Sequence, residues 1–240
     1  MNRNEFFEKI ENLALQINIK LNEKQKGLFY NYMNLLLEWN EKINLTAITN
    51  PDEIILKHFI DSITISKYIE NNSYVVDIGT GAGFPGIPLK IVRDDINVVL
   101  VDSLNKRINF LNNVIENLKI NKIAAIHSRA EEIGKDNKYR EKFDVVTSRA
   151  VANLSTLSEY LLPLAKVEGK CLSMKGPDST EEIENSKKAV KVLGGTISNI
   201  YEFNLPESDI KRTIIEIKKV EGTPSKYPRK SGLPSKEPIK

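Results

Sequence analysis

The feature that most constrains the fold of this sequence is a short apolar run that ends in an acid and opens into glycines. Residues 75–86 read Val-Val-Asp-Ile-Gly-Thr-Gly-Ala-Gly-Phe-Pro-Gly, with glycine at four of the last eight positions. Glycines at this density are costly inside regular structure, so they indicate a turn with positive φ and a ligand that approaches the main chain closely. The run therefore predicts a buried strand that feeds a backbone-lined pocket for a small ligand containing a nucleoside.

Length and composition indicate one domain with an extension. The chain has 240 residues, of which 40% are hydrophobic and 28% charged, enough for one sizeable core. No run approaches the ~20 apolar residues that cross a bilayer, and the first residues are too polar for a signal peptide. We therefore expect a cytoplasmic protein with no membrane segment, and a monomer as the default.

Cysteine and histidine are too few for a disulfide or a metal centre. Cys171 is the single cysteine, and the only histidines are His58 and His127. One cysteine excludes an internal disulfide, and the three residues have no metal-ligand spacing, so no metal is expected. Taken alone, His58 is interpreted as a surface or capping histidine.

Hydrophobic periodicity divides the chain into three parts. Residues 1–70 have apolar residues at helical spacing, which predicts a helical extension packed on the core. Residues 71–220 alternate strands with helices, which predicts a Rossmann-like, doubly wound α/β domain. Residues 221–240 carry four prolines and predict an irregular tail.

The sheet of the second part should have seven strands. The predicted strands are residues 74–78, 97–102, 122–127, 143–148, 169–174, 196–203 and 210–220, and the later helices are residues 130–133, 153–166 and 178–193. The last strand alternates polar and apolar residues, which is typical of a half-exposed antiparallel hairpin. The sequence thus predicts a mostly parallel sheet that ends in an antiparallel hairpin.

The ligand of the glycine turn has two readings. Gly81–Gly86 formally satisfies G-x-G-x-x-G, so a dinucleotide-dependent oxidoreductase stays an alternative. Asp77, however, precedes the turn and is expected to place a carboxylate at the pocket floor, which would repel a pyrophosphate and suit a sulfonium. The glycines also begin at Gly79, directly after the strand. These features favour S-adenosylmethionine.

Three later strand ends supply candidate site residues. Asp102 closes the second strand about 20 residues beyond the turn, where an acid accepts both ribose hydroxyls. Its alternative role is to cap the helix that begins near Leu104, and both roles can coexist. Ala130 and Glu131 are placed to border an adenine, or simply start a helix. Arg149 is a candidate for fixing a target base or phosphate, with a surface salt bridge as the alternative.

The absence of two kinds of group from the sequence limits which atom could accept a methyl group. The residues after the fourth strand lack the Asn/Asp-Pro-Pro-aromatic tetrapeptide that holds an exocyclic amine, and Cys171 falls inside a predicted strand, where a thiol is inert. Methyl transfer to an atom with an available lone pair remains, and this needs positioning rather than a general base. A ribosome- or RNA-binding protein with a vestigial donor pocket also remains open.

Taken together, these motifs resemble one family closely, the bacterial 16S ribosomal RNA guanine-N7 methyltransferases G. The resemblance rests on NLTAI at 44–48, HFIDS at 58–62, DIGTGAGFPGIPL at 77–89, DSLNKR at 102–107, SRAVA at 148–152, KG at 175–176, YPRK at 227–230 and GLP at 232–234. These blocks follow one another in order and span nearly the whole chain.

The resemblance implies a class I S-adenosylmethionine-dependent methyltransferase fold and a target, N7 of one guanosine in the decoding region of 16S ribosomal RNA in the small subunit. It also implies a methyl donor bound by Gly79, Phe84, Ala130, Glu131 and Arg149, with Asp102 at the ribose. The full predicted donor site adds Asp77, Gly81, Gly83 and Ser103.

The tail is expected to contact the RNA. Residues 221–240 hold five bases and two acids, which accounts for the whole formal net charge of +3. A basic segment of this kind suits phosphate contact, and Tyr227 suits stacking on an unpaired base, so Tyr227, Arg229 and Lys230 are predicted to bind RNA together with Arg149. A solvated, disordered end is the alternative.

Overall fold

The apolar run that precedes the glycine turn forms an inner strand of a seven-stranded sheet in the computed structural model, which describes residues 1–149, 151–177 and 179–239. The strands are β1 (Tyr74–Ile78), β2 (Asn97–Asp102), β3 (Ile123–His127), β4 (Phe143–Arg149), β5 (Ala165–Lys175), β6 (Gly195–Asn204) and β7 (Lys211–Lys219). Their order is β3-β2-β1-β4-β5-β7-β6. The first five strands pair in parallel, and β7 pairs antiparallel with β5 and β6. The predicted sheet and its closing hairpin are confirmed.

Helices cover both faces of the sheet, with one apolar cluster on each face. The helices are α1 (Arg3–Gln16), α2 (Glu23–Ile43), α3 (Pro51–Glu53), α4 (Asp61–Ile63), α5 (Gly86–Val92), α6 (Asn105–Leu118), α7 (Ala130–Ile133), α8 (Leu154–Leu161), α9 (Thr180–Val192) and α10 (Leu233–Lys236). A π-helical stretch (Ile54–Ile60) joins α3 to α4, and a 3-10 turn (Thr64–Tyr68) follows α4.

One predicted helix is too long. The expected helix 153–166 ends at Leu161, because the chain turns there and enters β5 at Ala165. The backbone N–H of Phe143 donates to the carbonyl of Leu164 at 3.1 Å. The end of the predicted helix therefore pairs with β4 instead of continuing as a helix. Main-chain pairing across the sheet outweighs local helix propensity here.

The N-terminal helices pack directly on the glycine turn. Phe59 stacks with Tyr32, with ring centroids 5.4 Å apart, and both rings lie beside Phe84 of the turn. The hydroxyl of Tyr32 donates to the carbonyl of Ala82. Apolar packing and one buried hydrogen bond therefore join the helical extension to the element that opens the site.

The C-terminal segment, residues 221–239, is irregular apart from α10, but it is packed on the domain rather than solvated. Arg140 donates to the carbonyl of Thr223 at 2.7 Å and to that of Tyr227 at 2.8 Å. Tyr227 packs against the apolar cluster that includes Phe143 and Tyr160. The alternative of a disordered end is wrong. The composition of the segment predicts too few contacts to offset the conformational entropy lost on ordering, but the contacts with Arg140 and the apolar cluster supply them. The boundaries of the three predicted parts stay a prediction.

Candidate functional site

The main cavity lies at the carboxyl ends of β1 to β4, where the strand order reverses, and has a volume of about 570 Å³. Open α/β sheets bind ligands at such a switch point. Of the residues predicted for the donor site, the cavity is lined by Gly79, Gly81, Phe84, Asp102, Ser103, Ala130, Glu131 and Arg149. The fold thus brings together residues from four different strand ends.

The glycine turn has the backbone that the sequence predicts. Gly79, Gly81 and Gly83 have φ values of 69°, 61° and 99°. The N–H groups of Gly79 and Thr80 both donate to the carbonyl of Val101, at 2.9 and 3.1 Å, which pins the turn to β2. Positive φ at three positions requires residues without a Cβ penalty, so the glycine density follows from the backbone path.

Gly81 also leaves space for a ligand. A Cβ placed on Gly81 meets no atom within 4 Å, whereas a Cβ on Gly83 would lie 2.6 Å from the hydroxyl of Tyr32. Gly83 therefore serves close packing against the N-terminal helices, and it does not line the cavity. Gly81 faces open space beside Asp102, which fits a ligand that approaches the main chain.

Asp77 supports the turn from below. Its side chain is fully buried, and Oδ2 accepts hydrogen bonds from the Thr80 hydroxyl at 2.6 Å and from the Gly86 N–H at 2.9 Å. Burial raises the pKa of Asp77 to about 6, against these hydrogen bonds. The expectation of a carboxylate at the floor of the pocket is corrected: Asp77 is not among the residues that line the cavity, because the turn folds over it.

Asp102 both faces the cavity and fixes its neighbours. Its Oδ2 accepts from the Gly81 N–H at 2.9 Å and from Arg107 at 3.2 Å, and its Oδ1 accepts from the Leu104 N–H at 2.9 Å. Only 2% of the residue is exposed. The carboxylate thus connects the glycine turn to the residue before α6. The capping alternative is not realised, because Leu104 is the N-cap of α6 and no side chain caps this helix.

The start of α7 forms the next part of the wall. Glu131 is 6% exposed, and its Oε1 accepts from the N–H of Gly232 at 2.7 Å. The hydroxyls of Tyr160 and Ser235 lie 3.1 Å apart, and both residues line the cavity. Sequence reasoning missed Tyr160, Gly232 and Ser235, because their contact with the site depends on long-range packing. The only signal was the sequence block at 232–234.

Arg149 lies at the centre of a buried polar cluster. Its guanidinium donates to the carbonyl of Lys57 at 2.9 Å, to Asp61 Oδ2 at 3.3 Å and to His58 Nδ1 at 3.2 Å. It also lies over the ring of Phe84, 5.0 Å from the centroid. Burial lowers the pKa of Arg149, while Asp61 opposes that shift. The alternative of a surface salt bridge is wrong, since only 16% of this side chain is exposed.

His58 is buried and belongs to the same cluster, which corrects its interpretation as a surface or capping residue. Its ring stacks on Phe84 at 4.5 Å, and its Nε2 lies 2.9 Å from the hydroxyl of Thr46. Burial, followed by the charge of Arg149, lowers the pKa of His58 to about 3. With Arg149 donating to Nδ1, the neutral ring donates from Nε2 to Thr46. The sequence blocks at 44–48 and 58–62 were the available signal.

The predicted RNA contacts of the C-terminal segment lie apart from the cavity lining. The prediction that Arg229 binds RNA is corrected. Its guanidinium forms an ion pair with the fully buried carboxylate of Glu159 at 2.7 Å, so its charge is already paired within the protein. Tyr227 is half-buried in the apolar cluster, whereas Lys230 is exposed.

Other groups with reactive or ligating character fall outside the cavity. Cys171 lies buried in β5, as predicted, and burial raises the pKa of its thiol to about 12. Within residues 1–149, 151–177 and 179–239, no group of three or more His, Cys, Asp or Glu residues could hold a metal ion. Over the same residues, no helix is both long and apolar enough to span a membrane.

Comparison with known proteins gives one consistent family. The family model of rRNA small subunit methyltransferase G matches residues 25–213. The ribosomal RNA small subunit methyltransferase G of Desulforamulus reducens is 54% identical over 232 residues, which cover 96% of this chain and 97% of that protein. The protein of the same name from Acetivibrio thermocellus is 57% identical over 222 residues, covering 92% and 91%.

Solved structures share the fold at low identity. The precorrin-6y C5,15-methyltransferase of Geobacter metallireducens superimposes with a TM-score of 0.51 at 13% identity, covering 67% of this chain and 87% of that one. TYW2 of M. jannaschii, solved in complex with AdoMet, superimposes with a TM-score of 0.54 at 16% identity, covering 68% and 76%. These likenesses confirm the predicted fold class.

Proposed function

The chain belongs to the rRNA small subunit methyltransferase G family, and on that premise we propose that it transfers a methyl group from S-adenosylmethionine to N7 of one guanosine in the RNA of the small ribosomal subunit. The family expected from the sequence blocks is thereby confirmed. The oxidoreductase alternative finds no support among these relatives.

The residues of the cavity fit the methyl donor. The observation that carries the proposal is the open side of Gly81 next to the carboxylate of Asp102, at the switch point of the sheet. In this assignment Asp102 and Ser103 hold the ribose, Ala130 and Glu131 border the adenine, and Gly79, Gly81 and Phe84 line the path to the reacting end. When bound, S-adenosylmethionine supplies an electrophilic methyl group on a sulfonium.

Asp77 and Gly83 act indirectly in this assignment. Asp77 holds two groups of the turn, the Thr80 hydroxyl and the Gly86 N–H, and so keeps the backbone of the turn in its open shape. Gly83 lets the turn approach Tyr32. Both residues preorganise the site, which lowers the cost of binding.

The chemistry of the cavity supports a target atom that needs no deprotonation. His58 is neutral, and its two ring nitrogens are engaged by Arg149 and Thr46. Arg149 stays protonated and cannot accept a proton. Cys171 is removed from the cavity, so a thiolate attack on a pyrimidine has no nucleophile there. Guanine N7 carries an in-plane lone pair and requires only to be held in line with the methyl group.

The acceptor side is assigned to the cluster around Arg149. The planar groups of Phe84, His58 and Arg149 lie together at the cavity, and the guanidinium carries positive charge. We assign Arg149 the role of positioning the guanine or an adjacent phosphate, because a guanidinium recognises acceptor atoms on either. The substrate, small-subunit RNA, is consistent with a cytoplasmic enzyme, and we propose that it acts as a monomer.

Mapping the modified nucleotide tests this proposal. Small subunits from cells that lack the protein are incubated with it and labelled S-adenosylmethionine, and the RNA is digested and analysed by mass spectrometry. We expect a single 7-methylguanosine. Label on another atom rejects the N7 assignment, and no label with any small-subunit particle rejects the methyltransferase function.

A matched pair of variants tests the donor assignment. Asp102→Asn should weaken binding of S-adenosylhomocysteine by at least roughly tenfold, since hydrogen bonds to a charged acceptor contribute about 1.5–3 kcal/mol. Asp209→Asn, on the exposed turn between β6 and β7, serves as the control and should bind like the wild type. Equal affinities measured by calorimetry would remove Asp102 from the donor site, and tight NADH binding would favour a dinucleotide.

A further inference from the structure

The C-terminal segment forms one wall of the donor cavity. Gly232 and Ser235 line the cavity together with Ala130, Glu131 and Tyr160 of the neighbouring helices. The N–H of Gly232 donates to Glu131 Oε1 at 2.7 Å, which fixes the carboxylate in one orientation. This wall stands on the side that the proposed function assigns to the adenine, beside α7.

Arg229 anchors the segment close to that wall. Its backbone N–H and its Nε donate to Glu159 Oε1 at 2.7 and 2.9 Å, and its NH2 group donates to Oε2 at 2.7 Å. The carboxylate of Glu159 is fully buried in α8. A buried carboxylate is stable only with such partners, so the pair strongly favours one position of the segment.

The same guanidinium spans the loop that carries Gly232. Besides Glu159, the NH2 group of Arg229 donates to the carbonyl of Glu237 at 2.7 Å. On the side before Arg229, Arg140 connects the carbonyl of Gly134, next to α7, with that of Tyr227. The loop is therefore tied at both ends to the elements that present Glu131 and Tyr160.

The bond to Gly232 leaves part of Glu131 for a ligand. No group among the described residues donates to Glu131 Oε2, and the residue faces the cavity. Fixing Oε1 to the main chain orients Oε2 as an acceptor. The ligand class that matches is a nucleoside with hydrogen-bond donors on its base.

We propose that residues 225–239 act as a strap that completes the nucleoside end of the donor cavity, and that Arg229 and Glu159 are positioning residues that set the affinity for the donor. This inference rests on the proposed function, because it takes the cavity to be the donor site. It also replaces the expectation that the segment serves RNA contact alone, since its inward face is committed to the cavity.

Hydrogen exchange on the full chain tests the coupling without any mutation. If the strap and the ligand stabilise each other, the linkage is reciprocal, and saturating S-adenosylhomocysteine must slow exchange of the strap amides. We expect the amides of Gly232 and Leu233 to exchange at least tenfold more slowly with the ligand, while those of β7 at Lys211–Lys219 change little. Unchanged exchange at Gly232 would overturn the inference.

Two neighbouring cations provide the matched variants. Arg229→Gln should weaken S-adenosylhomocysteine binding by roughly tenfold, the effect of one charge-assisted hydrogen bond, and raise the KM for the donor more than that for the RNA. Lys230→Gln, which removes the next charge on the exposed face, should leave donor affinity unchanged. A purely structural role for Arg229 would lower the melting temperature without this selective effect on the donor.

The outcomes separate the two proposals. If the wild-type chain does not bind S-adenosylhomocysteine, the proposed function fails. If the wild type binds it, but Arg229→Gln binds equally well and the strap amides gain no protection, the strap inference alone fails. Should Arg229→Gln be unfolded by circular dichroism, the exchange measurement on the wild type still decides.

Discussion

The glycine turn and the cluster around Arg149 face the same cavity but are built in different ways. The two carboxylates that hold the turn accept from groups 3 and 21 positions away in the chain, Asp77 from Thr80 and Asp102 from Gly81. The contacts of Arg149 with Lys57, His58 and Asp61 join residues 88 to 92 positions apart. These carboxylate contacts of the turn are local in sequence, whereas the polar contacts of Arg149 exist only in the folded chain.

The two regions also respond to protons in opposite ways. Burial raises the pKa of Asp77 in the turn to about 6, and burial beside Arg149 lowers the pKa of His58 in the cluster to about 3. The folded state therefore holds its proton on Asp77 more tightly than the unfolded chain, and on His58 less tightly. The free energy of unfolding should therefore depend on pH in opposite directions through these two residues, and a variant of each residue tests its own region.

The largest effect is expected from His58. Between about pH 3 and 6.5 the unfolded chain binds a proton on this histidine that the folded protein does not, so the wild type loses stability as the pH falls through this window. Over the whole window the loss amounts to roughly 5 kcal/mol, because each pH unit costs about 1.4 kcal/mol. His58→Gln should lack this loss, so urea denaturation at pH 4 and pH 7 should show a flatter dependence than in the wild type.

Asp77→Asn supplies the control of opposite sign. In the wild type, the folded state binds more protons at Asp77 between about pH 4 and 6, so its stability falls as the pH rises through this range. Relative to the wild type, Asp77→Asn should therefore gain stability as the pH rises, by roughly 3 kcal/mol at most. If both variants shifted the curve in the same direction, the contrast between the two regions would be lost.

A second test disrupts the glycine turn by a steric clash, without changing any charge. A Cβ on Gly86 would lie 2.2 Å from Cδ2 of Leu100 and 3.0 Å from Oδ2 of Asp77, within the buried contact between α5 and β2. Gly86→Ala should lower the free energy of unfolding by about 3 kcal/mol, the upper range for overpacking a core. Gly176→Ala, where a Cβ meets no atom within 4 Å, is the matched control and should change it little. Equal urea midpoints for the two would contradict this prediction.

The difference between local and long-range contacts explains which features could be predicted from the sequence. The seven strands, the turn and its positive φ values follow from apolar runs and glycine spacing, which are local signals. The burial of His58 and the docking of Arg229 on Glu159 do not, because both partners of each contact are polar residues far apart in the chain. Composition alone favoured exposure of these residues, and tertiary contacts overrode it.

Asp77 shows a subtler limit. Its position at the end of β1 was predicted correctly, but whether its carboxylate faces the ligand or the protein depends on the direction in which the turn folds. The turn folds over the carboxylate, and its Oδ2 accepts from Thr80 and Gly86 of the turn. A periodic pattern identifies the residue at a strand end, whereas its partners require the structure.

The cluster is tested by removing its central charge. Asp61 is 3% exposed and accepts from Arg149 at 3.3 Å and from Arg212 at 3.0 Å. Arg149→Met leaves Arg212 as its partner, so we expect a loss of about 2 kcal/mol, below the 3–5 kcal/mol for a fully abandoned buried charge. The rate of methyl transfer to small-subunit RNA should also be lower in Arg149→Met than in the wild type. A double-mutant cycle with Asp61→Asn should give a coupling of about 1 kcal/mol, and additivity would show that the pair is not coupled.

The smallest effect concerns the outward face of the strap. Arg229 and Lys230 are adjacent cations, yet folding pairs the guanidinium with the buried carboxylate of Glu159 and leaves Lys230 exposed. Lys230→Gln should therefore change the free energy of unfolding by less than about 0.5 kcal/mol. If Lys230 contacts a phosphate, the slope of log K against log salt for RNA binding should fall by about 1, because one fewer counterion is released. An unchanged slope would remove Lys230 from the RNA interface, while a changed donor affinity would show that the outward face also serves the cavity. The two adjacent cations differ in their surroundings because only Arg229 meets a buried carboxylate from α8.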